Sequence, residues 1–414
     1  MPLLGSRAVF TPTLRACYAI TATVHVASIV LNTLLPLHVA DLGGTKTQVG
    51  LLFSVMTVVS MFLRPTVGGW VDRFGARPVI APGIAVLALT ALALQLATTP
   101  VAIIVLMIGV GVANGLISTP ASVLTALSSP AAHRGEALGT YYLASSLGIA
   151  IGPPLAFGLR AVGGMRLAFA MVTVMAVLLV LVVARLPSGA AHPAASARAP
   201  RLIGRSALPV SFALVLSTIG HSSVFAFLPL YALGRGQTAA LVWFFAIYPA
   251  WLITWRALLR GVSDRLGHFR VGLFAMSVVA VAYLIIALPP TPLSLGLAAL
   301  VLASGNAVLY PTLAALVVER APESERGLAL GTLSGAWDLG VVVGSALIGV
   351  VADRYSYAAG FAVGGAFAAI GVGALALGVA RGAAGARYVG SPKSDVIRAE
   401  ATRADMSASV GRRS

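Results

Sequence analysis

The stretch that decides the fold reads Gly68-Gly69-Trp70-Val71-Asp72-Arg73-Phe74-Gly75-Ala76-Arg77, and it falls between two long apolar runs. A shorter copy, Asp264-Arg265-Leu266-Gly267, stands 192 residues further along, again between two apolar runs. In each copy an aspartate and an arginine are followed, after one apolar residue, by a glycine. The glycine permits the tight turn that a short connection requires. Two similar loops at one offset indicate a duplicated architecture.

The residues around these loops are too apolar for a surface in water. Of the 414 residues, 58% are apolar and 10% are charged, and the mean hydropathy is +0.95. A soluble chain carries roughly 25% charged residues, so this chain must expose its surface to a lipid bilayer. Its net charge of +16 does not indicate a nucleic-acid partner, because the basic residues are scattered singly and form no stripe with interleaved aromatic residues.

Twelve apolar runs are long enough to cross a bilayer, which takes about 20 helical residues. We predict them at 16–38, 47–70, 78–97, 101–126, 137–159, 166–185, 207–231, 239–261, 270–288, 292–317, 328–351 and 358–380. The predicted fold is an all-α membrane protein with twelve transmembrane helices in two pseudo-symmetric six-helix bundles. These bundles occupy 1–186 and 207–383, with a linker at 187–206 and a disordered basic tail at 384–414.

Basic residues are concentrated on one side of the predicted spans. That side receives Arg7, Arg15, Arg73, Arg77, Arg134, Arg185, Arg198, Arg201, Arg205, Arg265, Arg270, Arg320, Arg326 and the tail, and the other side receives Lys46, Arg160, Arg166, Arg235 and Arg354. Lys and Arg are enriched in cytoplasmic loops. We therefore predict a multi-pass protein of the bacterial cytoplasmic (inner) membrane, with a cytoplasmic linker and cytoplasmic N- and C-termini.

The 192-residue offset aligns rare polar residues throughout the two halves. The aligned pairs are Arg64 with Arg256, Asp72 with Asp264, Arg73 with Arg265, Gly75 with Gly267, Asn114 with Asn306, Gly148 with Gly340 and Gly152 with Gly344. Because each half has an even number of spans, the repeats are parallel and related by an axis along the membrane normal.

The loop at Gly68–Arg77 resembles the major facilitator superfamily signature G-x-x-x-D-R-x-G-R-R, found between helices 2 and 3. Ala76 stands at the first position of the closing basic pair, and Arg260 replaces the leading glycine of the second copy. With the twelve spans and the long central loop, the resemblance covers residues 10–380. It implies two halves that rock about a central site and a cytoplasmic gate made of Gly68, Asp72, Arg73, Gly75, Arg77, Asp264, Arg265, Gly267, Arg64 and Arg256. The alternative is a solvated loop whose charge sets the topology.

The fifth span carries Gly148, Gly152, Pro153 and Gly158, which resemble the G-x-x-x-G-P-x-x-G-G motif of the drug:proton antiporter branch. Small residues four apart let helices approach closely, and the resemblance favours efflux. Phe157 departs from the motif at its penultimate glycine. The Arg that this branch carries in the fourth span is replaced by Gly111, so its coupling mechanism does not carry over directly.

Asp338 is the one acid that falls inside a predicted span. It lies twelve residues beyond Arg326, roughly 18 Å along a helix, which is near the middle of a hydrocarbon layer about 30 Å thick. A carboxylate there costs several kcal/mol unless it is protonated, paired or facing water. It is therefore a candidate proton carrier or partner of a cationic substrate group, and the alternative is a structural hydrogen bond.

Further polar and aromatic residues inside the spans are candidates for proton coupling or substrate binding. These are His25, His221, Asn32, Asn114, Asn306, Tyr141, Tyr310 and Trp337. The histidines are expected on one face of equivalent spans, where each could bind substrate or share a proton with Asp338. The structural alternative for each of these residues is an interhelical hydrogen bond. We expect no metal site, because the chain has a single cysteine and no carboxylate cluster.

These features predict a secondary active transporter, not an enzyme, that exports a small organic molecule by alternating access. No nucleotide-binding loop or HExxH motif is present, so the expected energy source is a proton gradient without a cofactor. The alternatives are a proton-coupled importer or uniporter on the same fold, and a non-transporting membrane sensor. We expect a monomer with a small-molecule substrate, whose identity the sequence does not indicate.

Overall fold

The structure is a computed structural model, and it describes residues 10–130, 133–186, 203–259, 261–322 and 325–388, with the backbone alone at 65, 72, 134, 135 and 379–388. Nearly all of the described chain is helical. The helices are α1 Pro12–Asp41, α2 Lys46–Phe74, α3 Ala76–Leu94, α4 Pro100–Leu127, α5 Arg134–Val183, α6 Leu208–Thr218, α7 His221–Leu233, α8 Thr238–Leu258, α9 Val262–Leu266, α10 His268–Ile286, α11 Pro292–Arg320, α12 Arg326–Arg354 and α13 Tyr357–Tyr388. The predicted linker up to residue 202 and the predicted tail from residue 389 lie outside the described residues.

Within those ranges, eleven helical stretches are long and apolar enough to cross a membrane. One of them, Glu136–Val183, has 48 residues, about 72 Å of helix, or more than twice the thickness of the hydrocarbon layer. The backbone of α5 leaves the helical region at Gly163 and Gly164, and Gly164 has φ of +66°. This turn divides α5 into a fifth and a sixth span, which confirms the predicted twelve.

The two halves repeat the same helix pairs. In the first half α1 packs along α5, α2 along α4 and α3 against α4; in the second, α6 and α7 pack along α12, α8 along α11 and α10 against α11. Across the molecule, α2 contacts α12 and α5 contacts α8. These two cross-half pairs are related by the 192-residue offset, so the predicted pair of pseudo-symmetric bundles is confirmed.

Equivalent residues form the same turn and the same helix cap in the two halves. Gly75 has φ of +85° between α2 and α3, and Gly267 has φ of +88° between α9 and α10, so both loops turn where only glycine avoids strain. The side chains of Thr99 and Thr291 accept from the third amide of α4 and of α11, each followed by proline. Such caps satisfy amides that the first helical turn leaves free.

The eighth span differs from the prediction and from its partner α2. We predicted a helix over 239–261, but α8 ends at Leu258, Gly261 has a left-handed backbone with φ of +75°, and α9 begins at Val262. By contrast, α2 runs without a break to Phe74. The seventh span consists of α6 and α7, with an irregular step at Ile219 and Gly220.

The part of α5 before the break at Gly163 packs against α1 through glycines of the predicted helix-5 motif. A methyl group added at Gly148 would lie 2.7 Å from the Cβ of His25, and one added at Gly152 would meet the side chain of Ile29. Gly158, from the same motif, has nothing within 4 Å of that position. Gly148 and Gly152 therefore permit the close approach of α1 and α5, whereas Gly158 faces open space.

We expect Gly148→Ala to lower the midpoint of thermal unfolding in detergent, because overpacking a tight contact costs roughly 1–3 kcal/mol. Gly158→Ala is the matched control, and it should leave the midpoint unchanged or raise it, since Ala is the better helix former by about 1 kcal/mol. Equal midpoints for the two variants would contradict the close contact between α1 and α5.

Candidate functional site

A cavity of about 310 Å³ lies between the two halves. The first half lines it with His25, Ser28, Ile29, Asn32, Thr33, Phe53, Met56, Thr57, Ser60, Arg64, Asn114, Ser118 and Ile149, and the second half with His221, Ser222, Phe225, Tyr248, Trp337, Asp338 and Val341. Pockets of this size hold small molecules, with a few polar groups fixing their orientation.

An ion pair between Arg64 and Asp338 crosses the cavity from one half to the other. The Arg64 guanidinium on α2 donates to a carboxylate oxygen of Asp338 on α12. The Asp338 side chain is 9% exposed and the Arg64 side chain 40%, so the pair is held in the wall while its cation stays accessible. The predicted intramembrane acid is thus paired across the halves.

Arg64, which we predicted as part of the cytoplasmic gate, lines the central cavity. Arg64 lies ten residues before the end of α2 at Phe74, roughly 15 Å along the helix, and it belongs to the cavity wall. Its repeat partner Arg256 lies at the equivalent position of α8 and donates to the Ser146 hydroxyl on α5 at 3.1 Å. Both arginines therefore join the two halves within the spans.

Both predicted histidines line the cavity. The Nδ1 of His25 lies 2.8 Å from the carbonyl oxygen of Thr21. Because a carbonyl only accepts, Nδ1 carries the hydrogen, which leaves Nε2 to accept a bond or a proton. His221 begins α7, and its ring packs against those of Trp337 and Phe225 at centroid distances of 4.9 and 5.5 Å.

The remaining candidates divide into cavity-lining residues and residues behind the wall. Asn32, Asn114 and Trp337 line the cavity. The others contact wall residues from behind. Asn306 donates to the Tyr248 hydroxyl at 3.1 Å, and the Tyr141 hydroxyl donates to the Ser118 carbonyl at 3.0 Å. The Tyr310 ring packs against that of Trp337 at a centroid distance of 5.7 Å.

Several lining residues were missed from the sequence although α2 carries a signal for them. Phe53, Met56, Ser60 and Arg64 follow one another at steps of three or four residues, and Thr57 is next to Met56, so all five lie toward one helix face. Polar residues on an otherwise apolar helix face indicate a cavity. The second-half lining residues Phe225 and Tyr248 give no such signal, because aromatic residues also fill ordinary helix contacts.

Polar contacts close the halves at one end of the molecule, which we term the opposite face, where α2 begins and α12 ends. The Asp353 carboxylate accepts from the backbone amides of Lys46 and Thr47 at 2.9 and 2.7 Å. In return, the Lys46 ammonium donates to the Ala352 carbonyl at 2.8 Å. Each helix end is therefore capped by the other, with the charge sign that its dipole favours.

The other end, which we term the basic face, carries the loops of the predicted gate. There His268 bonds Asp264 at 3.1 Å and Glu319 at 3.2 Å, and all three belong to the second half. Arg73 packs over the ring of Phe74. These described contacts stay within one half, so the cavity lies between a closed opposite face and the basic face.

A helical membrane protein with two parallel six-helix halves around one central cavity has the architecture of a secondary transporter. The Major Facilitator Superfamily model matches residues 17–305 and 291–397. The chain therefore belongs to the major facilitator superfamily and is a multi-pass membrane transporter of that family.

Known relatives agree with this assignment. The chain is 24% identical over 360 residues to the staphylopine export protein of Staphylococcus aureus, a match that covers 82% of this chain and 89% of the relative. It is 26% identical to an uncharacterized MFS-type transporter of Burkholderia pseudomallei, with 80% and 83% covered.

Solved structures share the fold at low sequence identity. The nucleoside transporter NupG matches with a TM-score of 0.70 and 16% identity, over 89% of this chain and 99% of that chain. The human organic anion transporter MFSD10 matches with a TM-score of 0.65 and 17% identity, over 88% and 99%.

We expect Arg64→Ala and Asp338→Ala each to lower the free energy of unfolding, measured by SDS titration in mixed micelles, by about 1–3 kcal/mol. The cost arises because either change leaves an unpaired charge in the wall, and it is moderated by the exposure of Arg64. The double variant should lose less than the two single variants together. Strictly additive losses would show that the two side chains do not interact.

Proposed function

We propose that this transporter exports a small organic molecule, a drug or metabolite, across the bacterial cytoplasmic membrane in exchange for protons. The observation that carries the proposal is the Arg64–Asp338 ion pair, which lies in the cavity wall and joins the two halves. A pair that bridges moving halves changes its partners as the halves rock. Its charge state is thereby linked to the transport cycle.

Asp338 is the proposed proton carrier because it is the one carboxylate among the lining residues in the described part of the chain. A proton on Asp338 removes the negative charge that holds Arg64, and the two halves lose their central ionic contact. Return of the proton to water restores the contact. Binding of protons and binding of substrate would then favour different arrangements of the halves, which is the requirement for coupling.

The cavity wall supports a small, partly polar substrate. The Asn32 side-chain oxygen and the hydroxyls of Ser60 and Ser222 are buried without a hydrogen-bond partner in the described residues, and all three residues line the cavity. Buried polar atoms in folded proteins are normally paired, so these atoms are available to a ligand or to water. Phe225 and Trp337 add apolar area beside them.

Two observations support export over import. The helix-5 residues Gly148, Gly152 and Pro153 resemble a motif of drug:proton antiporters, and Gly148 and Gly152 form the contact with α1. One relative is the staphylopine export protein, which is 24% identical to this chain. We use this relative as support for the direction of transport and not for the identity of the substrate. Proton-coupled import or uniport on the same fold is the alternative.

We propose that the basic face is cytoplasmic, because the loops and helix ends on that side hold most of the Arg residues. The cavity would then load an exported molecule from the cytoplasm through this face. The gate residues Asp72, Arg73, Arg77 and Asp264 would close that face when the cavity opens outward.

A fusion of green fluorescent protein to the C-terminus tests this topology, since that protein becomes fluorescent in the cytoplasm. We expect fluorescent cells. Dark cells that contain the full-length fusion would place the basic face outside and reverse the proposed orientation.

We expect Asp338→Asn to abolish substrate flux driven by a pH gradient in proteoliposomes, because the amide cannot carry the proton. Substrates for the assay come from a thermal-shift screen of small organic compounds against the purified protein. Asp41→Asn is the matched control, since Asp41 is 53% exposed and pairs with Arg160 away from the cavity. It should retain gradient-driven flux.

Full gradient-driven flux in folded Asp338→Asn would remove Asp338 as the proton carrier. The direction of flux separates the two transport modes. In vesicles whose cytoplasmic side faces outward, an exporter accumulates substrate when the lumen is acidified, whereas a proton-coupled importer releases it.

A further inference from the structure

The two arginines that join the halves differ in how their charges are neutralised. Arg64 is paired with the Asp338 carboxylate. Arg256 has the hydroxyl of Ser146 as its hydrogen-bond partner, and no carboxylate forms an ion pair with it in the described residues. A guanidinium is protonated at every physiological pH, so Arg256 adds an unneutralised positive charge between the halves.

The pseudo-symmetry of the fold shows that the two contacts are equivalent. The 192-residue offset takes Arg64 to Arg256, and it takes Ser146 to Asp338. The contact of α2 with α12 is thereby mapped onto the contact of α8 with α5. One contact has a carboxylate and the other has a hydroxyl in the same place.

Arg256 lies at the depth of Arg64 and on the helix that supplies a cavity residue. Each arginine stands 18 residues after the first residue of its helix, α2 or α8. Tyr248, about two turns before Arg256 on α8, lines the cavity. Ser146 is 3% exposed, whereas Arg256 taken as a whole residue is exposed, so Ser146 does not enclose the arginine side chain.

A charged side chain within a membrane span is costly unless it meets an opposite charge or water, and such residues mark substrate paths. The hydroxyl of Ser146 accepts one hydrogen bond from the guanidinium and neutralises none of its charge. Arginine binds carboxylates through two parallel hydrogen bonds with favourable geometry. The missing partner at this position is therefore a carboxylate, which the residues described in the structure do not supply.

We propose that the transported molecule carries a carboxylate and that this group binds Arg256 beside the Ser146 hydroxyl, as the counterion that Asp338 provides for Arg64. The proposal rests on the proposed transport function and names its substrate class, a small organic monoanion with an apolar body. The anion completes the second ionic contact between the halves. Bound substrate then adds a charged group to the existing hydrogen bond between α8 and α5.

The test uses two isosteric probes, phenylacetate and its neutral amide phenylacetamide, and the purified full chain in detergent. Binding is followed by quenching of tryptophan fluorescence, since Trp337 lines the cavity. We expect the wild-type protein to bind phenylacetate more tightly than phenylacetamide. Arg256→Gln should weaken phenylacetate binding by about tenfold or more, as expected for loss of a charged hydrogen bond, with phenylacetamide binding unchanged. Arg256→Lys should keep part of the preference.

A second pair of variants separates charge from volume at the other side of the contact. Ser146→Asp supplies an internal carboxylate and should remove the preference for phenylacetate. Ser146→Asn adds nearly the same volume without charge and should retain more of that preference. A merely structural hydrogen bond would make the two substitutions equivalent and would change binding of both probes alike.

Two results would overturn the proposal: a wild-type protein that does not prefer phenylacetate to phenylacetamide, or an Arg256→Gln variant that keeps the full preference. The binding assay uses no pH gradient and no membrane orientation. Its outcome is therefore independent of the Asp338→Asn flux experiment, and failure of the substrate class is distinguishable from failure of proton-coupled export.

Discussion

The structure depends on the cost of placing charge inside a hydrocarbon layer. Because an ionised side chain there needs a partner or water, Asp338 on α12 and Arg64 on α2 must find each other across the boundary of the two halves. Their contact holds the centre of the molecule together and lines the cavity at the same time. A residue pair in that position links the packing of the halves to whatever enters the cavity.

At the opposite face, charged side chains are likewise neutralised across the two halves, there by the ends of helices. Asp353 accepts from the first amides of α2, and Lys46 donates to a carbonyl near the end of α12, so the exposed poles of two helices neutralise each other. The hydroxyls of Ser54 and Ser345 continue the contact at 2.7 Å toward the middle of the membrane. Polar bonds of this kind near the surface can be exchanged for bonds to water one at a time.

Duplication explains the scaffold, and departures from duplication mark the chemistry. Gly75 and Gly267 turn equivalent loops, and Thr99 and Thr291 cap equivalent helices. Two differences between the repeats concern a charge and a helix end: Asp338 stands at the position equivalent to Ser146, and α8 ends at Leu258 whereas α2 continues to Phe74. Identical halves would make identical contacts on both sides, whereas here Arg64 meets a carboxylate and Arg256 meets a hydroxyl.

The sequence by itself determined the twelve spans, the two parallel halves and the presence of one buried acid. It could do so because a long apolar run in lipid satisfies its own backbone hydrogen bonds by forming a helix, and because rare polar residues recur at one offset. Only the tertiary structure decided that Arg64 lines the cavity and pairs with Asp338, and that Asn306, Tyr141 and Tyr310 lie behind the wall. Partners of a buried charge come from helices far apart in the chain, here 274 residues apart. Sequence spacing does not encode which helices meet across the two halves; packing does.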